Sequence, residues 1–192
     1  MATTANKVKY GISNVHYAIA TRASDGSITY GAWKELPNAV SITCDVNSNT
    51  STQYADNKLI YSKTCISGTN ITLTMSVISD DFKKEVLGWK TTSDGGLVQV
   101  SNATTQYIAL GFQFEGDVNA SKIWYYLCSV SDQSNDDAST NTESVTFSNE
   151  ALTITAYPVT IGNDDVIKTT YRADDTGYAT LFTGTPKLPT IA

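Results

Sequence analysis

Hydrophobic and polar residues alternate with a period of two along most of the chain, in short runs separated by turn residues. "NVHYAIATR", from Asn14 to Arg22, predicts a first strand; an Asp-Gly turn at Asp25 and Gly26 leads into "SITYGAWKEL", a second strand with a break at Gly31. Pro37 and Asn38 then interrupt the pattern. In "AVSITCDV", Val40, Ile42, Cys44 and Val46 share one face, and Ser41, Thr43 and Asp45 the other. "KLIYSKTCIS" predicts the next strand. After Gly68, Ile71, Leu73, Met75 and Val77 line one face against Thr72, Thr74 and Ser76. Further on, Ile108, Leu110, Phe112 and Phe114 form another single face, followed by a hairpin loop at "EGDVNAS". "KIWYYLCSV" is apolar on both faces, the mark of a central strand. "ESVTFSNEALTITAYP" predicts either one long bent strand or two short ones split near Ser148 and Asn149.

The period changes once. Phe82 and Val86 are four apart, and Leu87 widens their face, so a helix of about two turns is predicted over Asp80 to Leu87. Ser79 or Asp80 can cap its first turn, Asp80 and Asp81 suit the positive end of its dipole, and Gly88 supplies a stop. So short a helix does not hold alone in water. Phe82, Val86 and Leu87 must dock it on the open end or flank of a sheet structure.

Three segments break the alternation. "NSNTSTQYADN", residues 47–57, is polar and without periodicity, and reads as a long loop of the kind that is functional or disordered. Its Asn47, Asn49, Thr50, Gln53, Tyr54, Asp56 and Asn57 are the candidates for that function. Residues 132–142 form a second polar loop. Residues 159–192, with Asp pairs, turn residues and Tyr171, Tyr178 and Phe182, read as an arm; those aromatics are expected to dock on the chain's own domain or on a neighbour. The organisation expected is a β domain over 1–158 and a C-terminal arm over 159–192. The fold class expected is mainly β: an antiparallel β-sandwich or barrel with one short flanking α-helix.

Composition narrows function. Net charge is −6 over 192 residues, so the chain lacks the Lys and Arg excess that drives phosphate-backbone binding. "MATTANKVKYG" shows no apolar signal core and no run is long enough to span a membrane, so the expectation is folding in a reducing cytoplasm, with no membrane partner. Cys44, Cys65 and Cys128 are odd in number and widely spaced, against a disulfide framework or zinc site; Cys44 and Cys128 read as small buried thiols.

Chemistry is sparse. His16 is the one histidine and reads as structural. The chain has no G-x-S-x-G, no Walker A pattern and no G-x-G-x-x-G. "DQSNDDASTNTE", residues 132–143, has the length of a calcium loop, with Asp132, Ser134, Asp136 and Glu143 at ligand positions. Asp137 stands where that loop needs glycine, and strands flank it, so a solvated loop is the favoured reading. No catalytic residue, metal or cofactor is expected.

Five segments in order resemble the major tail proteins, the tail tube subunits, of long-tailed (siphovirus-type) bacteriophages: "KVKYGISNVHYA", "YADN" at Tyr54, "DDFKKEVLG" at Asp80, "YIALGFQFEGD" at Tyr107 and "TITAYP" at Thr153. The resemblance implies a β-sandwich or barrel with a flanking helix. It also implies a structural virion protein, without catalysis, assembled as stacked hexameric rings around a channel; in such a ring the 47–57 loop is the candidate inter-subunit contact, placed to reach a neighbouring ring with Tyr54 as its anchor. Its implied partners are other copies of itself, the tape measure, the tail terminator and the distal tail protein, with DNA passing through unbound. The competing expectation is a non-catalytic virion module that binds a receptor or carbohydrate through its Tyr residues and Trp33, Trp89 and Trp124. A hydrolase ranks third.

Overall fold

The computed structural model describes residues 6–116, 118–133 and 147–191. One antiparallel sheet dominates. Its path runs β2 (Ile28–Tyr30), β1 (Lys9–Arg22), β8 (Tyr107–Gly116), β9 (Ser121–Gln133), β10 (Glu150–Tyr157), β5 (Lys58–Met75), β4 (Ala39–Ala55). Off this path, β3 (Lys34–Glu35) pairs with β1, and β13 (Lys168–Arg172) pairs with β9 beside β10. Two small hairpins, β6 (Lys90–Thr91) with β7 (Leu97–Val98) and β11 (Val159–Ile161) with β12 (Asp164–Val166), stand apart. The sheet curls until the start of β4 lies beside the start of β1, but the two do not pair and the barrel stays open.

The curl produces an inner and an outer apolar layer. Inside, Ile71, Leu73 and Met75 of β5 meet Ile108, Leu110 and Phe112 of β8, Tyr125 of β9 and Leu152 and Ile154 of β10, all fully buried. Outside, Trp124, Tyr126 and Leu127 of β9 gather with Ala18, Ala20 and Ala109 under Leu181 and Leu188 of the C-terminal segment. β9 feeds both layers, as its two-sided apolar pattern predicts.

The helix α1 (Asp80–Glu85) closes the inner layer. Ser79 is its N-cap, with Oγ accepting from the Phe82 N–H. It stops at Glu85, short of the expected Leu87, because Val86 already acts as its C-cap and Gly88 follows at φ +73. The loss of two residues does not free the apolar face: Phe82 and Val86 are fully buried, and Leu87 nearly so. Tyr17 meets the Phe82 ring edge-on at 4.9 Å.

Several sequence expectations need correction. Residues 47–55 are strand, not loop: β4 continues unbroken to Ala55, and β5 begins at Lys58. A turn of Asp56 and Asn57, both at positive φ (50° and 61°), joins them, the two-residue geometry that suits hairpin twist. Periodicity was silent there because neither face of this segment is buried, so no alternation is imposed. The two strands expected over residues 58–78 are one strand, β5. The second predicted strand breaks at Gly31 into β2 and β3, as its glycine suggests. Of the expected strand or strands over 143–158, β10 starts at Glu150, beyond Ser148 and Asn149. The segment after Val159 is more than an arm, since β13 extends the main sheet. The candidate calcium ligands Ser134, Asp136 and Glu143 lie outside the described residues.

Candidate assembly surface

The feature that stands out is the distal half of the β4–β5 hairpin. Near the barrel, Ala39 to Val46 of β4 pair with Thr69 to Met75 of β5, which pairs in turn with β10. Beyond Asn47 and Gly68, among the described residues, the two strands pair only with each other, as a ribbon. Register shifts at Asn47/Ser48 and Gln53/Tyr54 leave one residue unpaired on β5 at each point, and such bulges bend and twist a ribbon. Asn47 Nδ2 donates to Asn70 Oδ1 at 2.9 Å across its base, and Thr50 and Thr64 hydroxyls meet at 2.8 Å along it.

Cross-strand register assigns the ribbon's faces. Ser48–Ile66, Thr50–Thr64, Thr52–Ser62 and Tyr54–Leu59 share one face, and Asn49–Cys65, Ser51–Lys63 and Gln53–Tyr61 share the other. Every residue from Ser48 to Ser67 is exposed, including Tyr54 (66%), Leu59, Ile60, Tyr61 and Ile66. Of the residues singled out from sequence, Asn49, Thr50, Gln53 and Tyr54 sit along β4, Asp56 and Asn57 form its tip, and Asn47, half-buried, marks its base. The apolar group Leu59, Ile60, Tyr61 and Ile66 was missed: in sequence, "KLIYSKTCIS" looks like an ordinary half-buried strand. The Asp-Asn pair ahead of it was the available hairpin signal.

The outer edge of β4 has no strand partner among the described residues. Proteins usually protect such an edge with Lys, Pro or bulged charge. Across seventeen residues β4 carries a single charge, Asp45, and no Pro. A long edge with so little charge is open to pairing with another chain.

Two electrostatic ties hold α1, from which the sheet's end is organised. Lys34 Nζ donates to both Glu85 oxygens at 2.6 and 2.7 Å, and Tyr17 OH donates to Glu85 Oε2 at 3.1 Å. The Lys34 ammonium, with Tyr17, holds the Glu85 carboxyl below its usual range. Deeper in, Lys83 Nζ lies 3.2 Å from Glu150 Oε1, whose second oxygen accepts the Ile78 N–H at 2.5 Å. Lys83 Nζ also stands 5.5 Å from the centroid of the Trp89 ring.

The C-terminal segment packs on its own domain. Phe182 stacks on His16 with centroids 4.5 Å apart, and meets Trp33 edge-on at 5.5 Å. It lies directly over Gly111, where any Cβ would strike its ring. Lys122 Nζ donates to the Tyr178 carbonyl at 2.8 Å and sits over the Tyr178 and Phe182 rings. Tyr171 of β13 pairs with Lys122, its ring against Gly177. His16 Nδ1 is 2.9 Å from the Asn14 carbonyl oxygen, and the ring is a stacking platform.

No catalytic arrangement emerges from these groups. Burial raises the Tyr17 and Tyr125 hydroxyls and the Cys128 thiol far above their ordinary values, with neighbouring Glu85 adding to the effect at Tyr17. That is the opposite of the tuning toward neutrality that acid–base or thiolate chemistry needs. Among the described residues, no three His, Cys, Asp or Glu side chains gather to hold a metal, and no helix is long and apolar enough to cross a membrane. Trp124 is buried, and Trp33 and Trp89 are half-buried, so none of the three forms an open sugar platform.

A family model described as phage tail tube protein matches residues 26–183. No individual curated protein matches the chain. The match takes in the ribbon, the helix, most of both apolar layers and most of the C-terminal segment, and with an open β-barrel capped by one short helix it settles the class: the chain belongs to the phage tail tube protein family, structural components of the virion tail.

Proposed function

We propose that this protein assembles with copies of itself into hexameric rings that stack as the tail tube, the channel through which DNA leaves the virion. The ribbon carries the reading. A two-stranded ribbon with both faces in water is marginally stable by itself, yet this one holds five large apolar side chains in the open. Covering the exposed half of each contributes about 1 kcal/mol. A single ribbon contact then supplies roughly 5 kcal/mol, at the low end of the ~4–15 kcal/mol lost when two bodies associate. Isolated pairs are weak, and a closed ring stacked on another ring, where each subunit contributes several contacts at once, is strong. Subunits stay apart in the host cytoplasm until a growing tail presents those contacts together.

A charge of −6 suits the channel role. A wall rich in carboxylates repels duplex phosphates weakly along its whole length, whereas a basic wall would grip them. Tail proteins at the two ends and a tape measure inside complete the set of partners, and the protein performs no catalysis.

Sedimentation velocity across a concentration series, with negative-stain microscopy of the same samples, tests the reading. Rings or tubes of uniform diameter are expected. Monomers at every concentration and in the presence of tail initiation complexes would refute it.

A further inference from the structure

We infer that the ribbon tip of one subunit seats in the groove between β1 and β4 of another copy, an inference that rests on the self-assembly reading above. Where the barrel fails to close, the starts of β1 and β4 run side by side without pairing. Between them lies a groove of about 220 Å³, floored by Ile12, Ile42 and Phe114 and flanked by Tyr10 and Val40. Tyr10 and Val40 are 59% and 50% exposed. The volume falls below the roughly 300–1,000 Å³ of small-molecule sites and suits one or two inserted side chains. Among the described residues, both flanking strands have one strand neighbour there: Lys9 to Ser13 pair only with β8, and β4 pairs only with β5.

The ribbon tip is the matching surface. Tyr54, Leu59, Ile60 and Tyr61 surround one two-residue turn, whereas the exposed Val77, Val98 and Val118 lie on separate elements. The turn carries Asp56 beside Lys58, so no net charge of the tip opposes Lys9 on the groove's rim. The tip cannot reach its own groove. Ile42 in the groove and Ala55 at the tip are thirteen residues apart on one continuous strand, about 44 Å at ~3.4 Å per residue. The occupant is therefore a second copy. Because tip and groove are different surfaces, the contact is head-to-tail, which closes into rings or propagates and does not stop at dimers.

Disulfide trapping on a Cys65→Ser background decides it. A mixture of Tyr54→Cys and Val40→Cys chains, oxidised under assembly conditions, is expected to give a cross-linked dimer about tenfold or more above a Tyr54→Cys and Asp25→Cys control pair. The chain carrying both Tyr54→Cys and Val40→Cys is expected to give a ladder. Tyr54, Val40 and Asp25 are all exposed, and unchanged thermal unfolding of each variant establishes that the subunit is intact. Rings or tubes with no cross-link above the control overturn the groove contact and leave self-assembly standing. A product that stops at dimers with the doubly substituted chain overturns its head-to-tail geometry. Failure of the unsubstituted protein to assemble overturns both readings.

Discussion

Replacing Gly68 with alanine should unsettle the ribbon and, through it, assembly. Gly68 is the last residue of β5 before the strand leaves the barrel, next to the unpaired Ser67. A Cβ there would lie 2.6 Å from the Ala156 carbonyl oxygen. That neighbour is backbone, hydrogen-bonded into the sheet near the end of β10, so it cannot rotate aside as a side-chain tip would. Relief requires the two strands to part by about 0.5–1 Å. Opened at one end of a strand pair spaced ~4.8 Å apart, that is a rotation of roughly 8°. Ten residues of β5 beyond the pivot, Lys58 to Ser67, about 34 Å, turn it into a displacement of roughly 5 Å at the tip. The overpacking costs about 1–3 kcal/mol, against the roughly 0.4–1 kcal/mol that Gly→Ala gains through the unfolded chain. A net loss of about 1–2 kcal/mol follows, lowering Tm by roughly 2–8 °C. Gly31→Ala is the control, because its nearest neighbour is at an ordinary 3.8 Å and the unfolded-chain gain should stand alone. Calorimetry and a light-scattering assembly assay read the two effects. If Gly68→Ala is as stable as Gly31→Ala and polymerises at the unsubstituted rate, the argument that this glycine sets the ribbon's exit is wrong.

Three further outcomes are expected. Glu150→Ala strands the Lys83 ammonium and the Ile78 N–H, both poorly exposed, and should cost about 3–5 kcal/mol in urea unfolding. Paired with Lys83→Met in a double-mutant cycle it should show a coupling of about 1–3 kcal/mol, and additivity within ~0.5 kcal/mol would show the pair to be independent. Phe182→Ala removes a half-buried ring from His16, Trp33 and Gly111, and should cost about 1.5–3 kcal/mol, below the ~3–5 kcal/mol of a fully buried phenylalanine. Tryptophan emission should shift to the red as Trp33 is uncovered; unchanged emission and stability would mean that the ring anchors nothing. Glu85 has a folded-state pKa below its ordinary 4.5, so its contribution is fully present above that value and is lost as pH falls through the lowered one. The carboxylate is over a third exposed, so solvent screening keeps the effect under about 1 kcal/mol. Lys34→Met should flatten the acid limb of a Tm–pH curve slightly, and an identical limb would remove the tie.

What the sequence made legible follows from where burial imposes a pattern. Ile71, Leu73 and Met75, the Ile108–Leu110–Phe112 series and the two-sided apolar run of β9 all face packed layers, and each could be read from alternation. The capped helix was legible for a similar reason, since Ser79, Phe82 and Val86 each answer to a local requirement, though its last turn is replaced by an earlier cap. The ribbon's β4 half was not legible as strand, because water on both faces asks for no period, whereas its β5 half, residues 58–67, read as one; only Asp56 and Asn57 marked the turn. β13 was hidden differently. "KTTYR" alternates weakly over five residues, and its place beside β9 depends on a long-range pairing that no local pattern encodes.

The illegible ribbon and the proposed function have one physical cause. A strand that completes its pairing and burial within one chain must alternate, and its edge must be covered or charged. β4 beyond Asn47 does neither, carrying Ser, Thr, Asn and Gln where a core strand would need Val or Ile and an edge strand would need Lys. Enough apolar surface sits on β5 opposite, at Leu59, Ile60, Tyr61 and Ile66, to favour a contact without driving aggregation of the free subunit. Such a composition is poorly suited to folding alone and well suited to a surface that becomes ordered against its own kind. Replacing Ser48 and Thr52, which face the uncharged Ile66 and Ser62, by Lys would supply the missing protection; the subunit should then unfold at a nearly unchanged temperature but no longer polymerise, and tubes from that variant would show the uncharged ribbon to be incidental to assembly.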